Sequence, residues 1–244
     1  MFTDACRKNR DAIYGIKSST QILKNQFVFG TGSGFAIAPG IIATAGHIVH
    51  IDNDPKRIHN TFEVIRSPDI GQQMELATLI AEDPNHDIAF LKVNNPRSEK
   101  YLTLEHSKVP TGTSCGSLGF PLGEIIEFEP GKIVFNLVER FQGCFISSFH
   151  NIRLESGKLA DFYEVDSLMY NGSSGCPGFL QNGNVIGMQS QSMLGNSAAD
   201  NARRGKSRKI KGGKKAPTNT QLAISLWVPS MDIVKSAFSV GISI

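Results

Sequence analysis

The sequence lacks any long apolar segment. Its N-terminal stretch MFTDACRKNRDAIYG is interrupted by charges where a secretory signal needs a continuous apolar region. No later stretch approaches the roughly 20 apolar residues that cross a membrane as a helix. We therefore expect no membrane span, and by default a cytoplasmic protein.

The sequence also lacks the residue spacings of a metal centre. Its four cysteines, Cys6, Cys115, Cys144 and Cys176, form no Cys-x-x-Cys pair and no Cys/His ligand pattern. We expect no metal, no cofactor and no disulfide framework. The cysteines are interpreted as free thiols, and the sequence leaves open a bridge between Cys115 and Cys144.

Helical patterns are scarce, whereas strand patterns are abundant. Only residues 4–11 and the segment SMDIVKSAF near the C-terminus have a helical pattern. In the second segment, Ile233, Val234 and Phe238 form one apolar stripe. Short apolar or alternating runs bounded by turn residues recur along the rest of the chain, which contains 24 glycines. This pattern indicates an all-β antiparallel barrel or sandwich.

The segment FLQNGNVIG gives the clearest hairpin signal. Asn182 and Gly183 can supply the two positive φ angles that a type I′ turn needs. We therefore expect a tight two-residue turn between two strands at this position.

The net charge of +3 is unevenly distributed, because the segment from Arg203 to Lys215 contains eight basic residues and no acid. It lies within residues 195–220, whose composition predicts an exposed, flexible insertion between strands. One interpretation is a solvated loop. The other is contact with nucleic acid or an acidic partner protein, although no aromatic residues are interleaved with the basic ones.

The segment YNGSSGCPGF, from Tyr170 to Phe179, places two serines between two glycines. By itself it predicts a surface turn, since Asn, Gly, Ser and Pro are ordinary turn formers. A catalytic serine would need a histidine base, a carboxylate that orients the base, and donors for the oxyanion. The G-x-S-x-G elbow of α/β-hydrolases does not fit, because Cys176 replaces its final glycine.

Candidate partners for a catalytic serine precede it in the sequence. His47, in IIATAGHIV, follows a strand of small and apolar residues, so rigid backbone would position its imidazole. Asp87, in NHDIAFLKV, opens an apolar strand, so its partly buried carboxylate would need a donor such as an imidazole. Three histidines in polar surroundings are interpreted as surface residues: His50, His59 and His106.

The segments TAGH, DIAFLKV and GSSGCPGF occur in the order His, Asp, Ser and resemble the three signature segments of trypsin-like serine proteases. The most similar type is the bacterial HtrA-like group. The segment DSLMYNGSSGCP, from Asp166 to Pro177, resembles the nucleophile loop of that group without a gap, which places the nucleophile at Ser174. The segments GTGSGFAIAPG, NGNVIGMQS and SLWVPSMDIVK extend the resemblance over most of the chain.

The resemblance implies two packed six-stranded β-barrels with the site in the cleft between them. It predicts one protease domain over residues 1–244. Residues 1–24 would form an N-terminal extension and the first strand, and residues 230–240 would form a C-terminal helix.

The resemblance also implies a triad of His47, Asp87 and Ser174, in which Ser174 attacks a peptide carbonyl of a protein substrate. The backbone N–H groups of Gly172 and Ser174 would bind the oxyanion. No acid lies in the implied specificity pocket, so we predict cleavage after small or medium apolar residues. The residues implied for this pocket are Leu168, Met169, Ser190, Gln191 and Ser192.

Two positions depart from the family's pattern. Cys176 stands where the family has a second glycine, and it fits only if its φ is negative. Ser173 replaces the aspartate that pairs with a newly cut N-terminus in digestive members, so we do not expect activation by N-terminal cleavage. Two alternatives remain: a catalytically silent binding or scaffold protein, and a nucleic-acid-binding protein acting through the basic segment.

Overall fold

The computed structural model describes residues 1–23, 26–129, 132–153, 159–195 and 220–244. The described chain consists mainly of antiparallel strands, with one α-helix near each end. The all-β prediction is therefore confirmed.

Six strands of the N-terminal half form a closed antiparallel barrel with the order β1-β2-β3-β6-β5-β4. Side chains that alternate towards the inside fill it, and Phe35, Ile42 and Phe90 have no exposed surface. The strand bounds are β1 Ile13–Leu23, β2 Gln26–Ala38, β3 Ile41–Ala45, β4 Thr61–Arg66, β5 Glu75–Asp83 and β6 Ile88–Val93.

Six strands of the C-terminal half form a second closed barrel with the order β10-β11-β14-β13-β12-β7. Trp227 and Tyr163 are fully buried inside it. A separate two-stranded sheet, β8 with β9, follows β7 in the chain. The strand bounds are β7 Ser114–Gly119, β8 Glu124–Glu129, β9 Lys132–Asn136, β10 Arg140–Arg153, β11 Leu159–Val165, β12 Pro177–Phe179, β13 Val185–Gly195 and β14 Thr220–Pro229.

Both segments with a helical pattern are helical. Helix α1 spans Thr3–Asn9 and continues into a short 3-10 turn, and helix α2 spans Ser230–Ser239. The predicted apolar stripe of α2 is only partly correct, because Ile233 is buried whereas Phe238 is 57% exposed. No described helix is long and apolar enough to span a membrane.

The hairpin between β12 and β13 is confirmed, but its predicted type I′ turn is wrong. Only Gly183 has a positive φ, at 89°, so Asn182 does not supply the second one. The Gly183 N–H donates to Leu180 O and the Leu180 N–H donates to Asn184 O, which gives a three-residue loop that ends in a left-handed glycine. The side chain of Asn182 accepts from Asn184 N and stabilises this longer turn.

The pairing of β3 with β6 determines where the candidate residues meet. Ala45, the last residue of β3, pairs with Ile88, the first residue of β6. The residues that follow β3 and the residue that precedes β6 therefore lie side by side at one end of the first barrel. These residues include His47 and Asp87.

Candidate active site

The imidazole of His47 contacts the carboxylate of Asp87 directly. His47 Nδ1 lies 2.9 Å from Asp87 Oδ2 and 3.2 Å from Oδ1, and the backbone N–H of His47 donates to Oδ1 at 2.8 Å. The Gly46 N–H donates to the carbonyl oxygen of Asp87 at 2.8 Å. The carboxylate thus contacts both the ring and the backbone of His47, which leaves Nε2 for another partner.

The backbone of Asp87 adopts a left-handed conformation, with φ of 54°. This conformation is uncommon for residues other than glycine, although aspartate tolerates it better than most. Strained residues of this kind concentrate at functional sites, where the surrounding structure fixes them. The conformation of Asp87 is fixed here by its hydrogen bonds with Gly46 N, His47 N and His47 Nδ1, all in the 3-10 turn that carries His47.

Ser190, at a buried position of β13, contributes a third donor to the Asp87 carboxylate, besides His47 N and His47 Nδ1. Its Oγ donates to Asp87 Oδ2 at 2.6 Å. The sequence indicated Ser190 only as a wall of the specificity pocket, and its contact with Asp87 was missed. The contact joins a strand of the second barrel to the carboxylate of the first, and no local sequence signal reports such a pairing.

The double serine lies on a tight turn between residues 170 and 176. Gly172 and Gly175 have positive φ values of 87° and 84°. A Cβ at Gly172 would collide with Phe120 O, and one at Gly175 would collide with Ser33 O. Both positions therefore need glycine for backbone angle and for space. Cys176 has no positive φ, as its place in the pattern required.

The two N–H groups predicted to bind an oxyanion, those of Gly172 and Ser174, donate to no acceptor within the described residues. The neighbouring groups are occupied, since Ser173 N donates to Tyr170 O at 2.9 Å and Gly175 N to Gln189 O at 2.8 Å. The Ser174 hydroxyl likewise has no hydrogen-bond partner within the described part of the chain. The turn thus presents two backbone donors and one hydroxyl that are available to a ligand.

The orientation of the peptide that carries the Gly172 N–H is fixed from the other side. The Leu122 N–H donates to the carbonyl oxygen of Asn171, on the same peptide unit, at 2.6 Å. Because the carbonyl and the N–H of a peptide point in opposite directions, this bond turns the Gly172 N–H away from Leu122. Leu122 has a left-handed φ of 62°, a second strained residue beside the turn.

Ser33, on β2, connects the turn of residues 170–176 to the first barrel. Its Oγ donates to Gly172 O at 2.8 Å and accepts from Phe120 N at 2.9 Å. Its backbone N–H donates to Ser174 O at 2.8 Å. The Thr44 hydroxyl in turn donates to Ser33 O at 2.7 Å. In the sequence, Ser33 was noted only as part of the segment GTGSGFAIAPG, and its contacts with the turn were not predicted.

His47, Ser174 and Ser190 line one cleft of about 850 Å³. His50 and His59 also line this cleft, and both are largely buried, so their interpretation as surface residues is wrong. His50 Nε2 lies 2.8 Å from Glu82 Oε2, and its buried Nδ1 has no partner within the described residues. Burial lowers the pKa of His59, whose Nδ1 contacts the Thr20 hydroxyl. His106 is exposed, as expected.

Of the five residues predicted for the specificity pocket, Met169 and Ser190 line the cleft. Leu168 and Gln191 do not line it, and the side chain of Ser192 lies outside the described part of the structure. With its amide oriented to satisfy both partners, Gln142 pairs with the backbone N–H and carbonyl of Leu168. The backbone of Leu168 is therefore held by β10. Leu168 does not line the cleft, and its role in the specificity pocket stays a prediction.

The sulfur of Cys176 is buried between the turn of residues 170–176 and β7. A Cβ added at Gly119 would collide with it, which shows how closely the two segments pack. Burial raises the pKa of the Cys176 thiol to about 11. A thiol in this environment is mostly protonated near neutral pH and is a poor nucleophile.

The basic segment from Arg203 to Lys215 lies outside the described residues. Its predicted contact with nucleic acid or an acidic partner therefore has no structural counterpart here. Within the described ranges, no group of three or more His, Cys, Asp or Glu side chains is arranged to hold a metal ion.

Comparison with known proteins gives one family match. A family model described as a trypsin-like peptidase domain matches residues 32–188, a range that includes His47, Asp87 and Ser174. Neither this family description nor the names of the curated relatives support a nucleic-acid or acidic partner.

Curated relatives carry the name probable periplasmic serine endoprotease DegP-like. The protein from Bartonella henselae is 30% identical over 159 residues, and the one from Brucella suis is 30% identical over 160 residues. Each alignment covers 64% of this chain but only 27% and 26%, respectively, of the relative. The chain thus spans about a quarter of the length of these proteins. Because they are named periplasmic, the expected cytoplasmic location is not confirmed.

Two solved structures share the fold over 98% of the chain, each at 17% sequence identity. The active form of the Rv3671c protease from M. tuberculosis has a TM-score of 0.67, with 85% of that chain covered. The HtrA-type protease AlgW with a tripeptide has a TM-score of 0.70, with 63% covered. At this identity the likeness concerns the fold alone, and it confirms the predicted chymotrypsin-like pair of barrels.

Proposed function

Because the chain belongs to the trypsin-like peptidase family, we propose that it is a serine endopeptidase with Ser174 as nucleophile, His47 as base and Asp87 as the orienting acid. The observation that carries the proposal is the environment of the Asp87 carboxylate. It accepts hydrogen bonds from His47 N and Ser190 Oγ while contacting His47 Nδ1 at 2.9 Å. With both oxygens already accepting hydrogen bonds, the carboxylate favours the His47 tautomer that carries its proton on Nδ1.

The reaction follows from that tautomer. With the proton on Nδ1, Nε2 has a free lone pair and can take the proton of the Ser174 hydroxyl as its oxygen attacks the peptide carbonyl. The carbonyl oxygen becomes an oxyanion that accepts from the N–H groups of Gly172 and Ser174. His47 then gives its proton to the leaving amine, and an acyl-enzyme remains on Ser174 Oγ. A water molecule, deprotonated by His47, hydrolyses that ester and restores the site.

The oxyanion donors make the second contribution. A single donor of this kind is worth about 10²–10³ in rate in related chemistry. Gly172 and Ser174 each have a backbone N–H without a protein acceptor among the described residues, and the bond from Leu122 N to Asn171 O orients the first of them. These two donors need no reorganisation when charge develops, which is why they favour the transition state over the substrate.

We propose that the substrate is a protein cleaved after small or medium apolar residues. Met169 contributes apolar surface to the cleft next to the nucleophile turn, and no acid lies among the pocket residues predicted from the sequence. Asp52 also lines the cleft, but its carboxylate already pairs with Arg57 at 3.2 Å, so a positive side chain beside Met169 would meet no free counter-charge. A peptide library read by mass spectrometry tests this preference, and cleavage dominated by Lys or Arg would contradict it.

A catalytically silent protein with the same fold is the competing proposal. It draws support from the Ser174 hydroxyl, which makes no hydrogen bond to His47 or to any other described residue. Catalytic hydrogen bonds are often long in unliganded sites and shorten only when substrate binds.

A fluorophosphonate probe distinguishes the two, because it reacts only with an activated serine. We expect an adduct on Ser174, located by peptide mass spectrometry, that is lost in Ser174→Ala and strongly reduced in His47→Ala. Disabling either residue can lower the rate about 10⁶-fold in such sites. His106→Ala, which removes an exposed histidine, is the control and should label like the wild type. An unlabelled wild-type protein would support the silent alternative, whereas an adduct on Ser174 that does not need His47 would contradict the proposed role of His47 as base.

A further inference from the structure

Two cysteines lie opposite each other inside the second barrel. Cys115 on β7 and Cys144 on β10 are direct partners in the antiparallel register. Both side chains are buried in the same apolar cluster, and their sulfur atoms are 3.6 Å apart. The sequence left their pairing open because 28 residues separate them, and only the strand register brings them together.

The backbone at this position already has the spacing of a disulfide. Directly opposite residues of an antiparallel pair have Cα atoms about 4.5–5.5 Å apart, and disulfides span Cα separations of about 4.4–6.8 Å. Rotation of the two side chains can therefore bring the sulfurs to bonding distance without movement of either strand. We propose that Cys115 and Cys144 form a cross-strand disulfide by exchange with a small disulfide such as oxidised glutathione.

The thiol–disulfide exchange with oxidised glutathione proceeds in two steps. The thiolate of one cysteine attacks a sulfur of oxidised glutathione, which forms a mixed disulfide and releases one glutathione thiolate. The thiolate of the other cysteine then attacks the protein sulfur of the mixed disulfide and releases the second glutathione. The chain loses two protons and two electrons in total, and oxidised glutathione becomes two molecules of reduced glutathione.

The surroundings of the pair determine when the bond forms. The contact with Cys115 and burial raise the pKa of the Cys144 thiol far above its ordinary value. Since the thiolate is the attacking species, exchange in the folded protein is slow. The bond forms readily during folding, before β7 and β10 close over the two sulfurs. The same burial then protects it from reductants in solution.

The crosslink would lie next to the anchors of the nucleophile segment. On β10, the Phe145 N–H donates to the side chain of Asp166, and the Gln142 amide pairs with the Leu168 backbone. On β7, the Ser117 hydroxyl accepts from the amide of Gln189 at 3.2 Å. A bond between these two strands therefore restrains the part of the barrel from which residues 166–176 extend.

The first test is the mass of the protein after refolding in a glutathione redox buffer. We expect a mass about 2 Da below that of the reduced chain, and a disulfide-linked peptide that contains Cys115 and Cys144. Cys6 and Cys176 should react with an alkylating reagent after unfolding, as free thiols. Four free thiols in the refolded protein, or any other pairing, would overturn the proposal.

The second test uses the same chain in two redox states, so it requires no substitution. We expect the oxidised protein to melt roughly 5–15 °C above the protein reduced under denaturing conditions and refolded with a phosphine. Cys6→Ser should keep this difference, and Cys144→Ser should abolish it. Equal melting temperatures for the two states of the wild type would show that the strands do not accommodate the bond.

Discussion

Ser33 Oγ, on a strand of the first barrel, donates a 2.8 Å hydrogen bond to the carbonyl oxygen of Gly172, in the turn of the second barrel that carries Ser174. Ser33 is completely buried, so neither partner can exchange this bond for water. The same hydroxyl accepts from Phe120 N. One side chain thus satisfies two backbone groups at the junction of the barrels and fixes the peptide that follows Gly172.

Ser33→Ala should lower kcat by about 10- to 100-fold and leave KM nearly unchanged. The substitution leaves Gly172 O and Phe120 N buried without partners, which costs about 1–3 kcal/mol and releases the peptide next to an oxyanion donor. Steady-state kinetics and thermal unfolding measure the two effects. Ser230→Ala is the control, because it removes a buried hydroxyl that donates to Glu105 O. Equal losses of kcat in both variants would show that Ser33 acts through stability alone.

Asp87→Asn should lower kcat by about 10⁴-fold with little loss of stability. An amide oxygen can still accept from His47 N, but the amide nitrogen then faces His47 Nδ1 and selects the tautomer with the lone pair there. Nε2 consequently carries a proton and cannot act as base. The kinetics of peptide cleavage by the folded variant give the measurement. A variant that retains a tenth of wild-type kcat would exclude the proposed role of Asp87.

Gly172→Ala should abolish activity, whereas Gly71→Ala should not. Both glycines have positive φ, at 87° and 93°, so both substitutions add similar backbone strain. A Cβ at residue 172 would collide with Phe120 O, but one at residue 71 meets no atom within 4 Å. The comparison separates displacement of the oxyanion donor from backbone strain. Fluorophosphonate labelling of the two folded variants provides the readout, and equal labelling would contradict the prediction.

A pH-dependent cluster lies beside Asp87. His86 Nδ1 is 2.7 Å from Asp83 Oδ2, and Ser236 Oγ of helix α2 donates to the same oxygen at 2.6 Å. The hydrogen bond with Asp83 raises the pKa of His86, Asp232 raises it further, and Lys235 lowers it. The hydrogen bond from His86 lowers the pKa of Asp83.

The ion pair of His86 with Asp83 should stabilise the protein most between the ordinary pKa values of the two groups, at about pH 5–6. Because the folded-state pKa of His86 is raised, its stabilisation is complete below 6.5 and is lost as pH rises through the folded-state value. We expect wild type to melt about 2–4 °C above His86→Gln near pH 6 and to lose this advantage by pH 9. His106→Gln serves as the control. A melting-temperature difference between wild type and His86→Gln that increased with pH would contradict the predicted pH dependence.

The resemblance of three short motifs, in the order His, Asp, Ser, to those of trypsin-like serine proteases predicted the two barrels and the residues of the candidate triad. His47 and Asp87 stood out because each adjoins an apolar strand, and Ser174 was placed by the ungapped resemblance of residues 166–177 to the family's nucleophile loop. Each of these signals involves residues that are neighbours in the chain, so it can be recognised without knowledge of the fold. The pairing of β3 with β6 then brings the first two residues together without further information.

The features that were missed depend on contacts between distant segments. His59 has polar neighbours in the sequence, yet its side chain is buried and contacts Thr20 of β1. Ser190 contacts Asp87 at a sequence separation of 103 residues, and Ser33 contacts Gly172 at a separation of 139. The prediction of a type I′ turn at Asn182 was wrong for a different reason. The dipeptide Asn182-Gly183 permits several turn types, and the pairing of the adjoining strands selects one of them.

The turn that carries Ser174 belongs to the second barrel, but Ser33 N and Ser33 Oγ of the first barrel determine its shape. The two halves are therefore not exchangeable modules, even though each encloses its own barrel interior. A hybrid whose first half lacked a hydroxyl at the position of Ser33 would keep both barrels and still misplace the turn that carries Ser174. Recombination between relatives is thus restricted to partners whose second strand supplies a hydroxyl at the position of Ser33.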